Sequence, residues 1–432
     1  MRARHLFGAH GYAMVDMVRG AGADTASGSN QKRITMTPYA TRDAHSIWLR
    51  ITSCFVVGLL ALAAASMGQA APFQTKAKQA ILIDVGANAI LFEKNADQRV
   101  PPASMSKLMT LAVIFRGLIE GRLKLESEYT MSVNAWRSGG APSGTSAMMV
   151  PVNTKETLEQ LLMGIIVQSG NDAAIALAEA LAGSETAFAR IMNEEAKRIG
   201  LTNSTFINST GLYHPDHVMS ARDLAKLAQY VIETYPEYYA WFSERQFKYR
   251  RHTFRNRNPL LSAGMGVDGL KTGYLSQAGF GLVASAEQKG RRLILVVNGL
   301  GSAAERKAES RRIMEWGFRG FAEFALDAGG DVVGHARVWG GKQFYVPLTG
   351  KGPLTVVLPR FPANPKLRAE IVYNGPLKPP VRKGAQIAHL RVRTASGAVN
   401  NVPLFAAETV EQGGVIRRGL DAALHLAFGW LP

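Results

Sequence analysis

Strand-like runs stand at both ends of a long helical stretch, and this order limits the fold more than any other feature. Residues 80–94 read as two apolar runs around a Gly-Ala-Asn turn, and 280–300 repeat the pattern around Gln-Lys-Gly. The sequence between them predicts helices over 104–118, 156–168, 172–182 and 221–235. Terminal hairpins that pair into one sheet, with helices packed against it, indicate an α+β fold with an antiparallel sheet and a helical cluster.

The pattern changes near Val338. From there to about Phe405, short strand-like runs (QFYVPL, LTVVLP, RAEIVY and IAHLRV) alternate with Gly and Pro turns. We therefore assign residues 71–335 to the main domain and 336–410 to a small all-β domain.

The C-terminal tail, 411–432, predicts an amphipathic helix. Arg417, Asp421 and His425 recur at i+4 on a polar face, and the opposite face is apolar, with Ile416, Leu420, Leu424, Phe428 and Leu431. Such a helix either docks on its own domain or lies in a membrane interface with Trp430 at the headgroup level. The formal net charge of +17 favours the membrane, whose surface is anionic.

Residues 46–70 are typical of a secretory signal peptide. Arg50 precedes an apolar run that is too short to span a bilayer, and small residues follow at the cleavage position. Cleavage there removes Cys54, the one cysteine, and so excludes disulfide and thiol chemistry from the mature chain. The extension 1–45 has no clear periodicity, and we hypothesise that translation begins at Met36.

Three short polar motifs occur in a fixed order along the chain. Each is weak alone, because Ser104, for example, also suits a helix start. Together, in helix-start, loop and strand settings, they match the signature of penicillin-binding proteins and serine β-lactamases. The motifs are Ser104-Met105-Ser106-Lys107 (S-x-x-K), Ser169-Gly170-Asn171 (S-x-N) and Lys271-Thr272-Gly273 (K-T-G).

These residue types suit nucleophilic catalysis by a serine. A serine hydroxyl needs a base, and no Ser-His-Asp pattern is present. Ser104 and Lys107 are one helical turn apart, and burial beside a second cation, Lys271, would favour neutral Lys107. Thr272 offers a hydroxyl to a carboxylate, and Gly273 permits close backbone approach. In the second motif, Asn171 can hold a substrate amide and Ser169 can pass a proton to the leaving nitrogen.

The chain resembles the low-molecular-mass penicillin-binding proteins, specifically the D-alanyl-D-alanine carboxypeptidases with a C-terminal β domain and an amphipathic anchor. The resemblance runs from about Lys78 to Leu431 and rests on PPASMSKLMT, IIVQSGNDAAIALAE, GLTNSTF, SARDLA, FRNRNPLL, VDGLKTG, AGFGLVASA and EQGGVIRRG. It implies a penicillin-binding/β-lactamase-like domain that acts on peptidoglycan pentapeptide and is acylated by β-lactams. It also implies a periplasmic enzyme attached to the outer face of the inner membrane, with no metal or cofactor.

The resemblance also assigns roles by matched position. Ser104 is the nucleophile, Lys107 is the base, and the N–H groups of Ser104 and Tyr274 form the oxyanion hole. Some relatives have His or Thr where this chain has Tyr274. Arg292, with Arg291 as its ambiguous neighbour, matches an arginine that binds the terminal carboxylate. The remaining motif residues that carry over are Ser169, Asn171, Lys271, Thr272 and Gly273.

Other functions fit the sequence less well. A class A β-lactamase needs a deacylating glutamate, and no Glu-x-x-Leu-Asn lies between the second and third motifs. D,D-endopeptidase activity on cross-links would use the same site and stays an alternative. A scaffold without activity would have no need for Ser104 beside Lys107. Nucleic acid is not an expected partner, because zinc-ligand spacing, a helix-turn-helix signal and an aromatic-interleaved basic stripe are all missing.

Overall fold

The computed structural model describes residues 7–8, 12–15, 73–326, 329–360, 367–394, 397–419 and 421. The strands are β1 (Phe7–Gly8), β2 (Tyr12–Val15), β3 (Gln79–Asp84), β4 (Ala89–Lys94), β5 (Glu128–Thr130), β6 (Lys155–Thr157), β7 (Gln246–Tyr249), β8 (His252–Arg255), β9 (Val267–Leu275), β10 (Gly279–Gln288), β11 (Arg291–Leu300), β12 (Phe321–Ala325), β13 (Gly334–Arg337), β14 (Tyr345–Thr349), β15 (Thr355–Pro359), β16 (Leu367–Val372), β17 (Gln386–Thr394) and β18 (Val399–Ala406). The α-helices are α1 (Lys107–Ile119), α2 (Val133–Gly139), α3 (Leu158–Met163), α4 (Asn171–Ala182), α5 (Glu185–Ile199), α6 (Ala221–Thr234), α7 (Pro236–Tyr239) and α8 (Ala303–Gly320).

The main domain is built on an antiparallel sheet in the order β4-β3-β11-β10-β9. Both predicted hairpins are confirmed, and they pair with each other through β3 and β11. One row across the sheet runs Leu82, Leu295, Ala284 and Leu270, all buried. The neighbouring row, which faces the other side of the sheet, runs Ile81, Val296 and Val283 and is buried too. The central strands are therefore apolar on both faces, which agrees with their continuous hydrophobic runs. The predicted α+β arrangement is confirmed.

Helix α1 lies at the centre of the helical cluster. Its apolar residues are buried on nearly every side, as the sequence predicted for this segment, and only Ile119 at its last position is largely exposed. Phe115 stacks on Tyr238 with ring centroids 5.0 Å apart and meets Tyr235 edge-on. This packing fixes α1, and with it the turn that precedes it. Two helices that the sequence did not indicate, α5 and α8, begin at the capping serines Ser184 and Ser302.

The small β domain has its own core of Val, Leu and Ala side chains. It begins earlier than the predicted residue 336, because β12 (Phe321–Ala325) follows α8 directly and pairs with β15. Strand β18 pairs with β4 of the main sheet, where Val399 lies opposite Ile90 and Asn400 opposite Ala89. The hairpin of β1 and β2 adds to the edge of β16.

The two ends of the chain are described only in part. The predicted signal peptide 46–70, with Cys54, lies outside the described residues, as does the extension 1–45 apart from β1 and β2. In the tail, residues 415–419 and 421 are helical, and 422–432 lie outside the described range. Within the described ranges, no helix has the length and hydrophobicity needed to cross a bilayer.

Candidate active site

The first motif forms a tight turn at the start of α1. The sequence predicted a helix from Ser104, whereas the structure has a 3-10 turn over Ala103–Ser106 and an α-helix from Lys107. Ala103 has a φ of +50°, a region that residues with a Cβ rarely adopt. Such strain is retained where the surroundings enforce it, commonly at functional sites. The turn leaves Ser104 half-exposed while its neighbours Met105 and Ser106 are buried.

Lys107 is fully buried and surrounded by oxygen atoms. Its Nζ lies 3.0 Å from Ser104 Oγ and donates to Asn171 Oδ1 and to the backbone oxygen of Thr210, each at 2.6 Å. The predicted meeting of Ser104 and Lys107 is therefore present in the structure. Asn171 from the second motif joins them, and Thr210 is a contact that no motif indicated.

Burial is the main reason that the pKa of Lys107 falls from 10.5 to about 7, because a charged ammonium is poorly solvated there. The positive charge of Arg257 lowers this pKa further. The carboxylates of Glu185 and Asp172 act in the opposite direction and raise it. A substantial neutral fraction at neutral pH is what a lysine base requires.

The second motif lies between a π-helical turn, Gly164–Gln168, and α4. Ser169 has a φ of +66°, and its buried hydroxyl has no hydrogen-bond partner among the described residues. Asn171 Nδ2 donates to Thr145 Oγ1 at 2.9 Å, so both ends of its amide are engaged. Asp172 accepts from the backbone N–H groups of Met148 and Val150, which ties the 145–150 segment to the motif.

The third motif lies on β9, the edge strand of the main sheet. Lys271 and Thr272 are buried, and burial together with the charges of Lys107, Arg257 and Arg306 lowers the pKa of Lys271 well below its usual value. A Cβ on Gly273 would lie 2.9 Å from Pro102 O and 3.1 Å from the Ala103 Cβ, so only glycine permits this approach of β9 to the nucleophile turn.

Tyr274 follows this glycine and is 56% exposed. Its ring packs on Phe280 with centroids 4.2 Å apart. The side chain therefore lies against the neighbouring strand β10. Its backbone follows directly after the third motif on β9.

Arg292 does not lie at this site, contrary to the sequence-based expectation. In the sheet, Lys271 is opposite Val283, whereas Arg292 is opposite Glu287, four residues further along β10. At about 3.4 Å per residue, this separates the two positions by roughly 14 Å along the strand direction. The guanidinium also pairs with Asp268 at 2.8 Å and with Glu287 at 2.6 Å. Its charge is thus offset within the protein. The neighbouring Arg291 pairs with the buried Asp84 and does not reach the site either.

Two other arginines take part in the electrostatics of the site, and sequence reasoning missed both. Arg257 affects both lysines and donates to Ser146 Oγ at 2.6 Å. Arg306, from the first turns of α8, affects Lys271 and lies 5.7 Å from the Phe280 ring. Within the described residues, none of these four cations forms a salt bridge with a carboxylate. The only sequence signal was the FRNRNPLL segment, which holds Arg257 without marking its role.

A loop after α5 completes the lysine pocket. Asn208 Oδ1 accepts from the backbone N–H groups of Thr210 and Gly211, and Glu185 accepts from Ser209. A Cβ on Gly211, whose φ is +77°, would collide with the backbone oxygen of Ala103. This loop therefore packs against the nucleophile turn and presents the Thr210 oxygen to Lys107.

Comparisons with known proteins agree with this geometry. The family model described as D-alanyl-D-alanine carboxypeptidase (peptidase S11) matches residues 65–301, and the one described as penicillin-binding protein 5, C-terminal domain, matches 321–412. The chain is 36% identical over 353 residues to D-alanyl-D-alanine carboxypeptidase DacC from Escherichia coli K12, covering 81% of this chain and 88% of that protein.

Solved structures show the same similarity. Penicillin-binding protein 5 from Haemophilus influenzae matches with a TM-score of 0.65 and 33% identity, over 79% of this chain and 99% of that one. Penicillin-binding protein D2 from Listeria monocytogenes, in its cefotaxime-bound form, matches with a TM-score of 0.52 and 29% identity, over 57% and 99%. The chain therefore belongs to the D-alanyl-D-alanine carboxypeptidase family of penicillin-binding proteins.

Proposed function

We propose that this carboxypeptidase removes the terminal D-alanine from peptidoglycan pentapeptide stems through an acyl-enzyme on Ser104. The observation that carries the proposal is the 3.0 Å between Lys107 Nζ and Ser104 Oγ, with Lys107 buried. A lysine with a pKa of about 7 is neutral in roughly half of the molecules at neutral pH, and it can therefore accept the hydroxyl proton.

Acylation begins with attack by Ser104 Oγ on the carbonyl carbon of the penultimate D-alanine, while the hydroxyl proton moves to Lys107 Nζ. A neutral amine has two N–H groups and one lone pair. Asn171 Oδ1 and Thr210 O each accept one N–H at 2.6 Å, so the lone pair is left for Ser104. These two acceptors therefore orient the base.

The oxyanion of the tetrahedral intermediate is stabilised by the backbone N–H groups of Ser104 and Tyr274. Such donors act most strongly when they are fixed before the reaction. The close packing of Gly273 on Pro102 and Ala103 supports this arrangement, because it fixes the strand relative to the nucleophile turn.

The carboxylate of the terminal D-alanine binds among Lys271, Thr272, Arg257 and Arg306. Lys271, Arg257 and Arg306 form no salt bridge within the described residues, so an anionic ligand would reduce the electrostatic repulsion among these three cations. This assignment replaces Arg292, which is already paired with Asp268 and Glu287.

Collapse of the intermediate breaks the peptide bond and releases D-alanine. The proton on Lys107 reaches the leaving nitrogen through Ser169, whose buried hydroxyl has a free hydrogen-bonding capacity. Water then attacks the Ser104 ester, with Lys107 again as base, and the proton returns to Ser104 Oγ. The products are a tetrapeptide stem and free D-alanine.

β-Lactams react at the same serine. Ser104 Oγ attacks the strained ring amide, the ring opens, and the nitrogen stays attached to the acyl group instead of leaving. The tethered group blocks the approach of water, and we expect the acyl-enzyme to persist. The cefotaxime-bound form of the Listeria relative supports this expectation.

The enzyme acts in the periplasm, where its substrate lies. The signal-peptide pattern of 46–70 directs export, and the amphipathic tail 411–432 attaches the protein peripherally to the outer face of the inner membrane.

The test is D-alanine release from a peptide that ends in Lys-D-Ala-D-Ala. Ser104→Ala should lower the rate by several orders of magnitude, whereas Ser276→Ala, an exposed serine in the β9–β10 turn, should match the wild type. Intact activity in Ser104→Ala would refute the acyl-enzyme. An inactive wild type that cleaves cross-linked dimers would favour the endopeptidase alternative.

A further inference from the structure

The base of the β domain has an exposed apolar surface beside the start of the tail. We call it the basal patch. It consists of two segments, residues 339–345, which lead into and include the first residue of β14, and residues 415–418. Its apolar side chains are 37–87% exposed: Trp339, Phe344, Tyr345, Val415 and Ile416.

The tail is fixed to the β domain by its polar side. Asp421 is buried and accepts from Arg337 Nη2 at 2.6 Å and from the Gly340 N–H at 2.8 Å. Arg417 lies over the Phe344 ring, 3.0 Å from its centroid, and donates to Gly341 O. Arg417 and Asp421 are the residues of the predicted polar face that the structure describes. Both side chains point toward the β domain. As a result, the preceding apolar residues are largely exposed: Val415 is 77% exposed and Ile416 is 87% exposed.

Backbone hydrogen bonds join the two segments into one surface. The Gly413 N–H donates to Gly340 O at 2.9 Å, and the Lys342 N–H donates to Glu411 O at 2.8 Å. The loop and the start of the tail therefore cannot separate without breaking these bonds and the buried Asp421–Arg337 pair. The aromatic residues of the loop are held next to the apolar residues of the tail.

The charge of the patch suits an anionic lipid surface. Lys342 and Arg418 are exposed on it, and the exposed carboxylate beside them is Glu411. Aromatic rings with polar edges, flanked by basic side chains, are typical of surfaces that lie at the headgroup level of a bilayer. A group of exposed apolar side chains that lie together on a folded domain, with polar residues around them, is typical of an interaction site.

We propose that the basal patch docks on an anionic lipid bilayer, so that the β domain contacts the membrane directly beside the tail. The inference rests on the proposed membrane attachment and extends it from the tail to a folded surface. Two fixed contacts would restrain the tilt of the protein, whereas a tail on a flexible connection would not. The ion pair of Asp421 and Arg337 would hold the tail in the orientation that lets both contacts form.

The test uses the exported chain, purified after loss of its leader, because it then contains no cysteine. Trp339→Cys is labelled with an environment-sensitive fluorophore and mixed with phosphatidylglycerol-containing vesicles. The matched control is Phe324→Cys, since Phe324 has similar exposure in the same domain but lies on β12. Vesicle flotation of each labelled protein is measured in parallel, and D-alanine release confirms that each variant is folded.

We expect a blue shift on vesicle binding at position 339 and none at 324. Lys342→Glu should weaken flotation more than Lys289→Glu, an exposed lysine in the β10–β11 turn. Asp421→Ala should keep flotation but reduce the shift at 339. If the protein floats while the label at 339 stays in water, the patch proposal is wrong and the tail anchor stands. If nothing floats, membrane attachment itself is wrong, and binding to insoluble peptidoglycan instead would assign the patch to another partner.

Discussion

Arg257→Gln should move the pH dependence of acylation to higher pH. The charge of Arg257 helps to lower the pKa of Lys107, and its removal stabilises the ammonium form of that lysine. Ser104 is activated only by neutral Lys107, so acylation is fast above this pKa and falls as the pH drops below it. A higher pKa therefore shifts the whole profile toward alkaline pH.

The magnitude follows from the populations of the neutral amine. At pH 7, a lysine with a pKa of 10.5 is neutral in about one molecule in 3,000, whereas a pKa of about 7 gives one in two. The gain exceeds 1,000-fold, and burial supplies most of it. One nearby charge typically accounts for about one pKa unit, so the Arg257→Gln midpoint should lie near pH 8. Well below that pH, the rate should fall to roughly a tenth of the wild-type rate from this cause alone.

The assay is single-turnover acylation by a chromogenic cephalosporin between pH 5 and pH 9. Arg255→Gln is the matched control, since Arg255 is two residues earlier and exposed, and it is not among the charges that shift the pKa of Lys107. Loss of carboxylate binding would lower the plateau of the Arg257 variant but not move its midpoint, and the two effects can be separated. A midpoint that is unchanged, or lower, would refute the electrostatic role of Arg257.

Three further substitutions test other parts of the site. Asp172→Asn removes a charge that raises the pKa of Lys107, so its acylation midpoint should shift to lower pH, and an upward shift would contradict the assignment. Gly273→Ala should reduce acylation at least about 100-fold, because its Cβ would press on Pro102 O; near-normal rates would show that the approach can relax. Arg292→Gln should keep KM for D-alanine release within about twofold but lower Tm by several degrees, since Asp268 and Glu287 both lose their salt-bridge partner. A large rise in KM would instead indicate that Arg292 binds the substrate.

The sequence identified the site where its chemistry depends on local spacing. Ser104 and Lys107 are close because they are one turn apart, and this holds even though the turn is 3-10 in form and not α-helical. The three motifs meet because the order of strands and helices brings β9 next to the nucleophile turn. The α+β class followed from the same order.

What the sequence could not give depends on register and on contacts between distant segments. Nothing in RRLIL indicates that Arg292 lies opposite Glu287, and a shift of four residues along a strand decides whether a side chain reaches the site. The backbone oxygen of Thr210 has no side-chain signature at all. In the tail, the sequence placed Asp421 on the polar face of a helix but did not indicate that it is buried in an ion pair with Arg337.

The cation cluster has two roles that oppose each other. Arg257 lowers the pKa of Lys107 in the free enzyme, yet the proposed substrate carboxylate would bind among the same cations and partly neutralise their effect. Substrate binding should therefore raise the pKa of Lys107. Since kcat/KM reports the free enzyme and kcat the bound complex, the kcat midpoint should lie above that of kcat/KM. A peptide ending in D-alaninamide lacks the carboxylate and should bring the two midpoints together. If the kcat midpoint instead lies lower, exclusion of water by the substrate outweighs the added negative charge, and burial controls the base in the complex as it does in the free enzyme.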